Sequence, residues 1–214
     1  MGGDKAGVEA AKWLAFALMV FEHVSVYLLP APMPVAYLLG RLVFPLFAIA
    51  LAEGMAGGGE FRTIETLKRL VMWSCVAQVP WSFFDHTSGL NVLFQLTSGL
   101  ALYLAVFSRG GWSWRILLGV GALAVGCASE FGFAGLLVVF AALWWREERT
   151  ATRQALVVFA LACLYVPNGT HFALLALPVW WALEFVGTVP RVRHFFYYGY
   201  TGHLAVIAFL RGAL

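Results

Sequence analysis

Two ionisable residues interrupt an apolar run near the start of the chain, and they give the first indication of chemistry. The segment 12–29, KWLAFALMVFEHVSVYLL, is long enough to cross a bilayer, and Glu22 and His23 lie two thirds of the way along it. An Asp, Lys or Arg at the centre of a membrane helix costs about 2.5–3.5 kcal/mol. Such groups persist where they face protein or a wet cavity, so this pair predicts a functional site.

Two further residues extend this site. Arg41 lies inside another apolar run, LLGRLVFPLF, where it needs a carboxylate or an anionic ligand as acceptor. His203 lies in GYTGHLAV, and a histidine titrates near neutrality, as a general base must. Neighbouring helical residues point about 100° apart, so Glu22 and His23 cannot pair. We expect a Glu22–Arg41 ion pair, with His23 and His203 as independent candidates for the base.

Composition indicates a membrane protein. Of 214 residues, 62% are hydrophobic and only 12% are charged, against about 25% charged in a soluble domain. We therefore predict one integral-membrane domain over 1–214. The net charge of +3 does not indicate nucleic-acid binding, because the basic residues fall in short loops. Three cysteines without a CxxC motif predict neither a disulfide framework nor a metal site.

Apolar runs between charged breaks predict an all-α, polytopic helical bundle. About nine runs approach or reach the ~17–25 residues that a bilayer requires. The predicted spans are 11–29, 35–53, 63–83, 90–107, 112–129, 131–145, 152–167, 170–187 and 195–211.

The basic residues orient this bundle. Twelve of the fourteen Lys and Arg lie before the first span, in alternate connections or within two helical turns of them, and the opposite connections contain none. By the positive-inside rule the N-terminus is cytoplasmic, and nine spans place the C-terminus outside. The twelve residues are Lys5, Lys12, Arg62, Lys68, Arg69, Arg109, Arg115, Arg146, Arg149, Arg153, Arg191 and Arg193.

This topology brings the unusual residues to similar depths. At a rise of 1.5 Å per residue, His23 and Arg41 lie roughly 9 Å, and His203 roughly 12 Å, below the outer ends of their spans. Asn91 begins a span at the outer side, and Glu130 lies at an outer turn. We expect one cavity in the outer half of the membrane, with catalytic Glu22, His23 and His203 and ligand-binding Arg41, Asn91 and Glu130.

The remaining histidines, His86, His171 and His194, lie near loops and are interpreted as structural. Two other functions stay open at this point. Intramembrane His and Glu could form the proton relay of a transporter, although no internal repeat of the kind common in transporters is visible. An apolar bundle could also act as a chaperone without catalysis.

The motifs resemble those of one known family. KWLAFALMVFEHV, GRLVFPLFAIALAEG, RLVMWSCVAQVPW, NVLFQLTSGLAL, FGFAGLLVVFAALWW and YYGYTGHLAVIAFLR occur in the order found in the TraX family. The resemblance extends from about residue 12 to residue 211. The chain is also similar to the TrbP conjugal transfer proteins. Where this chain has Glu22, the TraX family commonly has Asp, so the carboxylate is shifted by about one methylene.

The resemblance implies a function and a location. The TraX family resembles the multi-spanning acyltransferases of the bacterial inner membrane. The best-known member of the TraX family N-acetylates a conjugative pilin, with acetyl-CoA as co-substrate. Matched by position, the resemblance points to Glu22, His23, Arg41, Asn91 and His203, and also to Pro45. His23 or His203 would deprotonate the acceptor, and Arg41 would bind donor phosphate or developing negative charge.

This implied reaction raises a question of access. Acetyl-CoA is cytoplasmic, whereas the amino end of a processed pilin lies outside. The bundle would need a channel for the pantetheine arm, or a site that is reached from both faces.

Overall fold

The computed structural model describes residues 3–84, 89–187, 189–192 and 194–213. Within these ranges the regular structure is helical, apart from one isolated β-bridge between Leu90 and Ser129. The predicted all-α class is confirmed. The α-helices are α1 (Gly3–Leu28), α2 (Pro34–Gly40), α3 (Val43–Met55), α4 (Gly59–Trp81), α5 (Val92–Phe107), α6 (Trp112–Cys127), α7 (Gly132–Glu147), α8 (Ala151–Cys163), α9 (Tyr165–Asn168), α10 (Ala176–Leu183) and α11 (Phe195–Ala213), with a 3₁₀ turn at Phe172–Leu175 before α10.

Each predicted span corresponds to a helical stretch, but two of these stretches are interrupted and a third begins with a 3₁₀ turn. The span predicted at 35–53 is formed by α2 and α3, and that at 152–167 by α8 and α9. The span at 170–187 consists of the 3₁₀ turn and α10, and it ends earlier than predicted. The apolar runs therefore located the helices without revealing where they break.

The break between α2 and α3 is placed by a proline. Pro45 has no N–H to donate to the carbonyl of Arg41, four residues earlier. The chain tightens at this joint, where Arg41 N donates to Leu38 O at 3.2 Å and Leu42 N donates to Leu39 O at 3.1 Å. Arg41 is therefore the C-cap of α2, and its side chain extends from the joint between two helices rather than from a continuous helix.

The first and last helices run parallel. The rings of Trp13 and Phe195, near the start of α1 and of α11, have centroids 4.6 Å apart. Further along, the rings of His23 and His203 lie nearly parallel, with centroids 5.0 Å apart. Two helices with the same direction require an even number of reversals between them, as nine predicted passes provide.

The connections that carry basic residues meet at one end of the bundle, which we call the basic end. Arg109 N, between α5 and α6, donates to Glu60 Oε2 at the start of α4 over 3.4 Å. Arg149, between α7 and α8, contacts Glu53 near the end of α3 at 2.5 Å and Glu184 after α10 at 4.0 Å. The basic end thus joins connections that are far apart in sequence. Arg193 and the side chain of Lys5 lie outside the described residues.

Two helical segments in the described ranges are long and apolar enough to cross a membrane, Ala6–Leu28 and Pro34–Met55. Val92–Phe107, Trp112–Cys127 and Phe172–Leu183 are apolar but shorter. A membrane location is therefore weakly supported by helix length and composition, and the nine-pass arrangement stays a prediction.

Candidate functional site

The predicted ion pair between Glu22 and Arg41 is present. Glu22 on α1 accepts a hydrogen bond from Arg41 Nη2, and the two side chains are only 11% and 13% exposed. Gly40 makes this contact possible, because a Cβ at position 40 would overlap the Glu22 carboxylate. A buried charge is tolerated only when it is paired and hydrogen-bonded. The glycine before Arg41 therefore belongs to the site.

Two residues that the sequence did not indicate complete the surroundings of Arg41. Asn168, at the end of α9, accepts from Arg41 Nη1 through its side-chain oxygen at 3.0 Å. Tyr37 accepts from Arg41 Nε through its backbone oxygen at 3.2 Å, and its hydroxyl donates to Asn168 O at 2.6 Å. The guanidinium also lies over the Tyr37 ring, 4.4 Å from its centroid. Arg41 is thus fixed by three elements.

His23 and His203 form a hydrogen-bonded pair. Nδ1 of His23 lies 2.8 Å from Nε2 of His203, and the rings are nearly parallel, with an interplanar angle of 14°. The sequence suggested two independent histidines at similar depth. The structure corrects this picture, because α1 and α11 run side by side and bring the two rings into one unit.

The hydrogen bonds of His203 define the tautomer of this unit. Nδ1 of His203 lies 3.0 Å from Gly199 O, which can only accept, so Nδ1 carries the hydrogen. The Nε2 atom of neutral His203 must then accept, and Nδ1 of His23 donates to it. Nε2 of His23 is left with the lone pair, and no partner is recorded for it within the described part of the chain. In this neutral pair, Nε2 of His23 is therefore the ring nitrogen that can accept a proton.

Aromatic rings surround the pair. The ring of His23 lies 5.7 Å from that of Tyr27 and 6.5 Å from that of Trp81. The ring of His203 lies 5.6 Å from that of Tyr200 and 6.0 Å from that of Phe16. Such apolar walls exclude water and strengthen the electrostatic interactions inside them.

Glu130 lies in the turn between α6 and α7, where its backbone N donates to Leu90 O at 3.1 Å. Its side chain is exposed to solvent at this turn, although protein atoms lie around it. Desolvation there raises the pKa of the Glu130 carboxyl to about 7, an effect that Arg41 opposes and Glu22 reinforces. Glu130 is thus electrostatically coupled to the ion pair, and its carboxyl changes charge near neutral pH.

Asn91 belongs to the framework of the protein and not to a ligand site. Its side chain is fully buried and caps α5 by accepting from Leu93 N at 3.0 Å. Its amide nitrogen donates to Ser74 O at 2.9 Å and to Gln78 Oε1 at 2.8 Å. Both amide hydrogens are therefore occupied. The expectation that Asn91 binds substrate is not supported, because the fold uses its polar groups to join α4 and α5.

The other histidines stand apart from this pair. His171 stacks on Tyr165 with a centroid distance of 4.6 Å, and His194 begins the turn into α11 with a left-handed φ of 62°. His86 lies outside the described residues. No group of three His, Cys, Asp or Glu that could hold a metal ion occurs within the described ranges.

The comparison with protein families identifies the chain as a whole. A family model described as TraX protein matches residues 7–211. The chain belongs to the TraX family. This match includes both histidines, the ion pair and Glu130, and it confirms the resemblance that the motifs indicated. Neither the comparison with curated proteins nor that with solved structures finds a match.

Proposed function

We propose that this TraX-family protein is a membrane-embedded acyltransferase that moves the acetyl group of acetyl-CoA to the N-terminal amine of a conjugative pilin. The observation that carries the proposal is the hydrogen bond between His23 and His203, which leaves Nε2 of His23 able to accept a proton. The residue before His23 in α1 is Glu22, which forms the buried ion pair with Arg41. The association of the family with conjugative transfer and pilin processing supports pilin as the acceptor.

In the proposed reaction, His23 moves the proton. The ammonium form of the acceptor first gives one proton to solvent; Nε2 of His23 then takes a second hydrogen from the neutral amine while the amine nitrogen bonds to the thioester carbonyl carbon. The tetrahedral intermediate collapses by breaking the carbon–sulfur bond, and the proton on His23 passes to the departing thiolate. The products are the N-acetylated chain and CoA. His203 accepts from Nδ1 of His23 throughout and stabilises the imidazolium while it exists.

Donors near the pair would stabilise the oxyanion of that intermediate. Arg41 is held in place by Glu22, Asn168 and Tyr37, so it needs no reorganisation during the reaction. The side-chain nitrogen of Asn168 is buried and has no recorded partner among the described residues. The side-chain oxygen of Asn168 accepts from Arg41, and its nitrogen is not used in that contact. This nitrogen would therefore be a second donor to an acyl oxygen bound beside Arg41.

Glu130 would receive the acceptor. The amino end of a processed pilin is cationic at neutral pH, and a carboxylate beside the ion pair attracts it. Because the pKa of Glu130 is raised to about 7, its charge increases over the pH range in which the amine still carries its proton.

The proposed location is the bacterial inner membrane, with several passes and the basic end in the cytoplasm. Clustered Lys and Arg at one end of the bundle follow the positive-inside rule. The parallel directions of α1 and α11 agree with an odd number of passes.

The test is acetyl transfer by the purified protein. The full chain in lipid nanodiscs is incubated with acetyl-CoA and a peptide that carries the mature pilin N-terminus, and free CoA and acetylated peptide are measured together. We expect equal amounts of both, and neither product with His23→Ala. CoA release without peptide acetylation would show hydrolysis instead, and no turnover would contradict the proposal.

A second candidate function is a proton-coupled transporter, which the hydrogen-bonded histidines favour as a proton relay. Proteoliposomes loaded with a pH-sensitive dye distinguish the two functions. Proton flux that is lost in Glu22→Gln, without acetyl transfer, would favour transport. If both are absent while pilus assembly tolerates His23→Ala, the chaperone function is favoured.

A further inference from the structure

A cavity of about 690 Å³ opens between helices α1, α3, α4, α5 and α11. Its size lies within the ~300–1,000 Å³ that small-molecule sites usually enclose. The cavity extends from residues near the basic end to residues next to the candidate site, and neither His23 nor His203 lines it.

The part of the cavity near the basic end is cationic. Lys12, Arg62, Arg69 and Arg191 line it, together with His194, and among the described residues no Asp or Glu lines it. This excess of positive charge in the wall suits a polyanion.

The two arginines on α4 are the most available of these cations. Lys12 contacts Glu9 at 2.6 Å, and Arg191 lies 3.8 Å from the same carboxylate. Arg69 instead donates to Glu65 O and Thr66 Oγ1, and neither Arg62 nor Arg69 has a recorded acidic partner in the described ranges. A phosphate would supply the acceptors that these guanidinium groups lack.

The deeper wall is apolar and leads towards the histidine pair. Met19 lies one helical turn before His23, and Tyr200 lies three residues before His203. Phe47 and Leu93 line the wall between α3 and α5. From Lys12 to His23, α1 rises about 16 Å, so the cavity suits a long, thin ligand with anionic groups at one end.

We propose that this cavity binds the acyl donor, with the phosphates of acetyl-CoA at Arg62 and Arg69 and the pantetheine arm along the apolar wall. The thioester would then reach His23 from the basic end. This inference rests on the proposed function and adds the place and direction of donor binding. Donor and acceptor would approach from opposite ends, because Glu130 lies at the end away from the basic connections.

The first test measures the affinity of unacylated CoA for the purified full chain by titration calorimetry. We compare wild type with the double variant Arg62→Gln/Arg69→Gln. Loss of a charged hydrogen bond weakens binding about tenfold or more for each arginine. The matched control is Lys68→Gln, because Lys68 lies on the same helix and carries the same charge, but it is 67% exposed and outside the cavity. We expect the control to keep its affinity within about twofold.

The second test fills the cavity without disturbing the charges. Gly54 lines the cavity, and a Cβ at this position would meet no atom within 4 Å. Gly54→Phe should therefore abolish CoA binding while the thermal unfolding temperature stays close to that of wild type. Gly121→Phe on α6 is the control, because a Cβ there also meets nothing, and Gly121 does not line the cavity.

Several outcomes would overturn the inference. If wild-type affinity for CoA persists in both variants, the donor binds elsewhere. If the double variant instead loses co-purifying anionic phospholipid while its CoA affinity is unchanged, the cavity is a lipid site. If the wild type binds no CoA at all, both the cavity assignment and the acetyl-CoA reaction fail.

Failures of the two proposals can be separated. If CoA binding follows the variants as expected but no pilin is acetylated, the donor site stands and the proposed acceptor is wrong. If pilin is acetylated but the arginines do not affect CoA binding, the function stands and the donor site is wrong.

Discussion

His23 and His203 act as one unit in this account, and their mutations should not be additive. Removing a positioned general base lowers rates by roughly 10²–10⁴-fold, so His23→Ala should lose that much in kcat/KM for acetyl transfer. His203→Ala should lose less, and the double variant no more than His23→Ala, because His203 acts only through its partner.

A conservative variant separates positioning from simple structural loss at His203. The side-chain oxygen of His203→Gln can accept from Nδ1 of His23, so we expect this variant to recover part of the rate that His203→Ala loses. Equal rates for the Gln and Ala variants, or independent effects of the two histidines, would show that they are not a functional pair.

The Glu22–Arg41 ion pair supports a different prediction, measured as the free energy of unfolding in detergent. Removing one partner of a buried pair costs about 3–5 kcal/mol, so we expect that loss for Glu22→Leu and for Arg41→Met separately. The double variant Glu22→Leu/Arg41→Met should regain most of the stability, because no charge is left unpaired, but it should not regain acetyl transfer. Additive losses in the double variant would contradict the pairing.

For single residues, the sequence predicted the contacts that charge requires, and it missed the contacts that depend on how the helices pack. A buried Arg41 needed a carboxylate, and Glu22 was close in sequence and depth. Asn168 meets Arg41 across 127 residues, and nothing local to its Asn-Gly turn indicates that contact. Asn91 was misassigned because a polar residue at the start of an apolar run is also the usual helix cap.

Among the helices, the joint between α2 and α3 determines where Arg41 lies. We predict that Gly40→Ala lowers the free energy of unfolding by about 1–3 kcal/mol, as overpacking does, because the new methyl group overlaps the Glu22 carboxylate. Chemical denaturation of the purified protein measures this loss.

Gly121→Ala is the matched control for the joint. Its Cβ meets no atom, and alanine favours a helix over glycine by roughly 0.5–1 kcal/mol. The control should therefore be neutral or slightly stabilising. Equal effects at both glycines would show that the close contact at Gly40 does not matter.

The apolar runs predicted the long helices well, and Pro45 marks the break between α2 and α3. The segment predicted at 90–107 is observed as Val92–Phe107, and 112–129 as Trp112–Cys127. Charged and glycine-rich breaks mark these boundaries clearly. The separation of α8 from α9 lies within an apolar run and is marked by a proline, because Pro167 has no N–H to donate to the carbonyl of Cys163, where α8 ends.

For the whole molecule, the central prediction is its direction in the membrane. Alkaline phosphatase fused after Leu214 should be active, because the nine predicted passes would place that end outside. The same enzyme fused within the connection at 148–150 should be inactive, since that connection belongs to the basic end. Activity at both positions, or at neither, would contradict the predicted orientation.

Packing order was the part of the architecture that the sequence could not supply. Depth along each span placed His23 and His203 in the same layer. Their direct contact joins residues 180 positions apart, and it depends on α1 and α11 being neighbours. The cavity near the basic end was also invisible, because its lining comes from five helices.

The most direct test of the account is the intact mass of the cognate pilin from cells. Pilin is isolated from four strains: one with the wild-type protein, one that lacks this protein, one with the His23→Ala variant and one with the His171→Ala variant. His171 is the control position, because it lies outside the His23–His203 pair. We predict a gain of one acetyl group with wild type and His171→Ala, and its absence in the other two. An identical pilin mass in all four strains would contradict pilin acetylation by this protein.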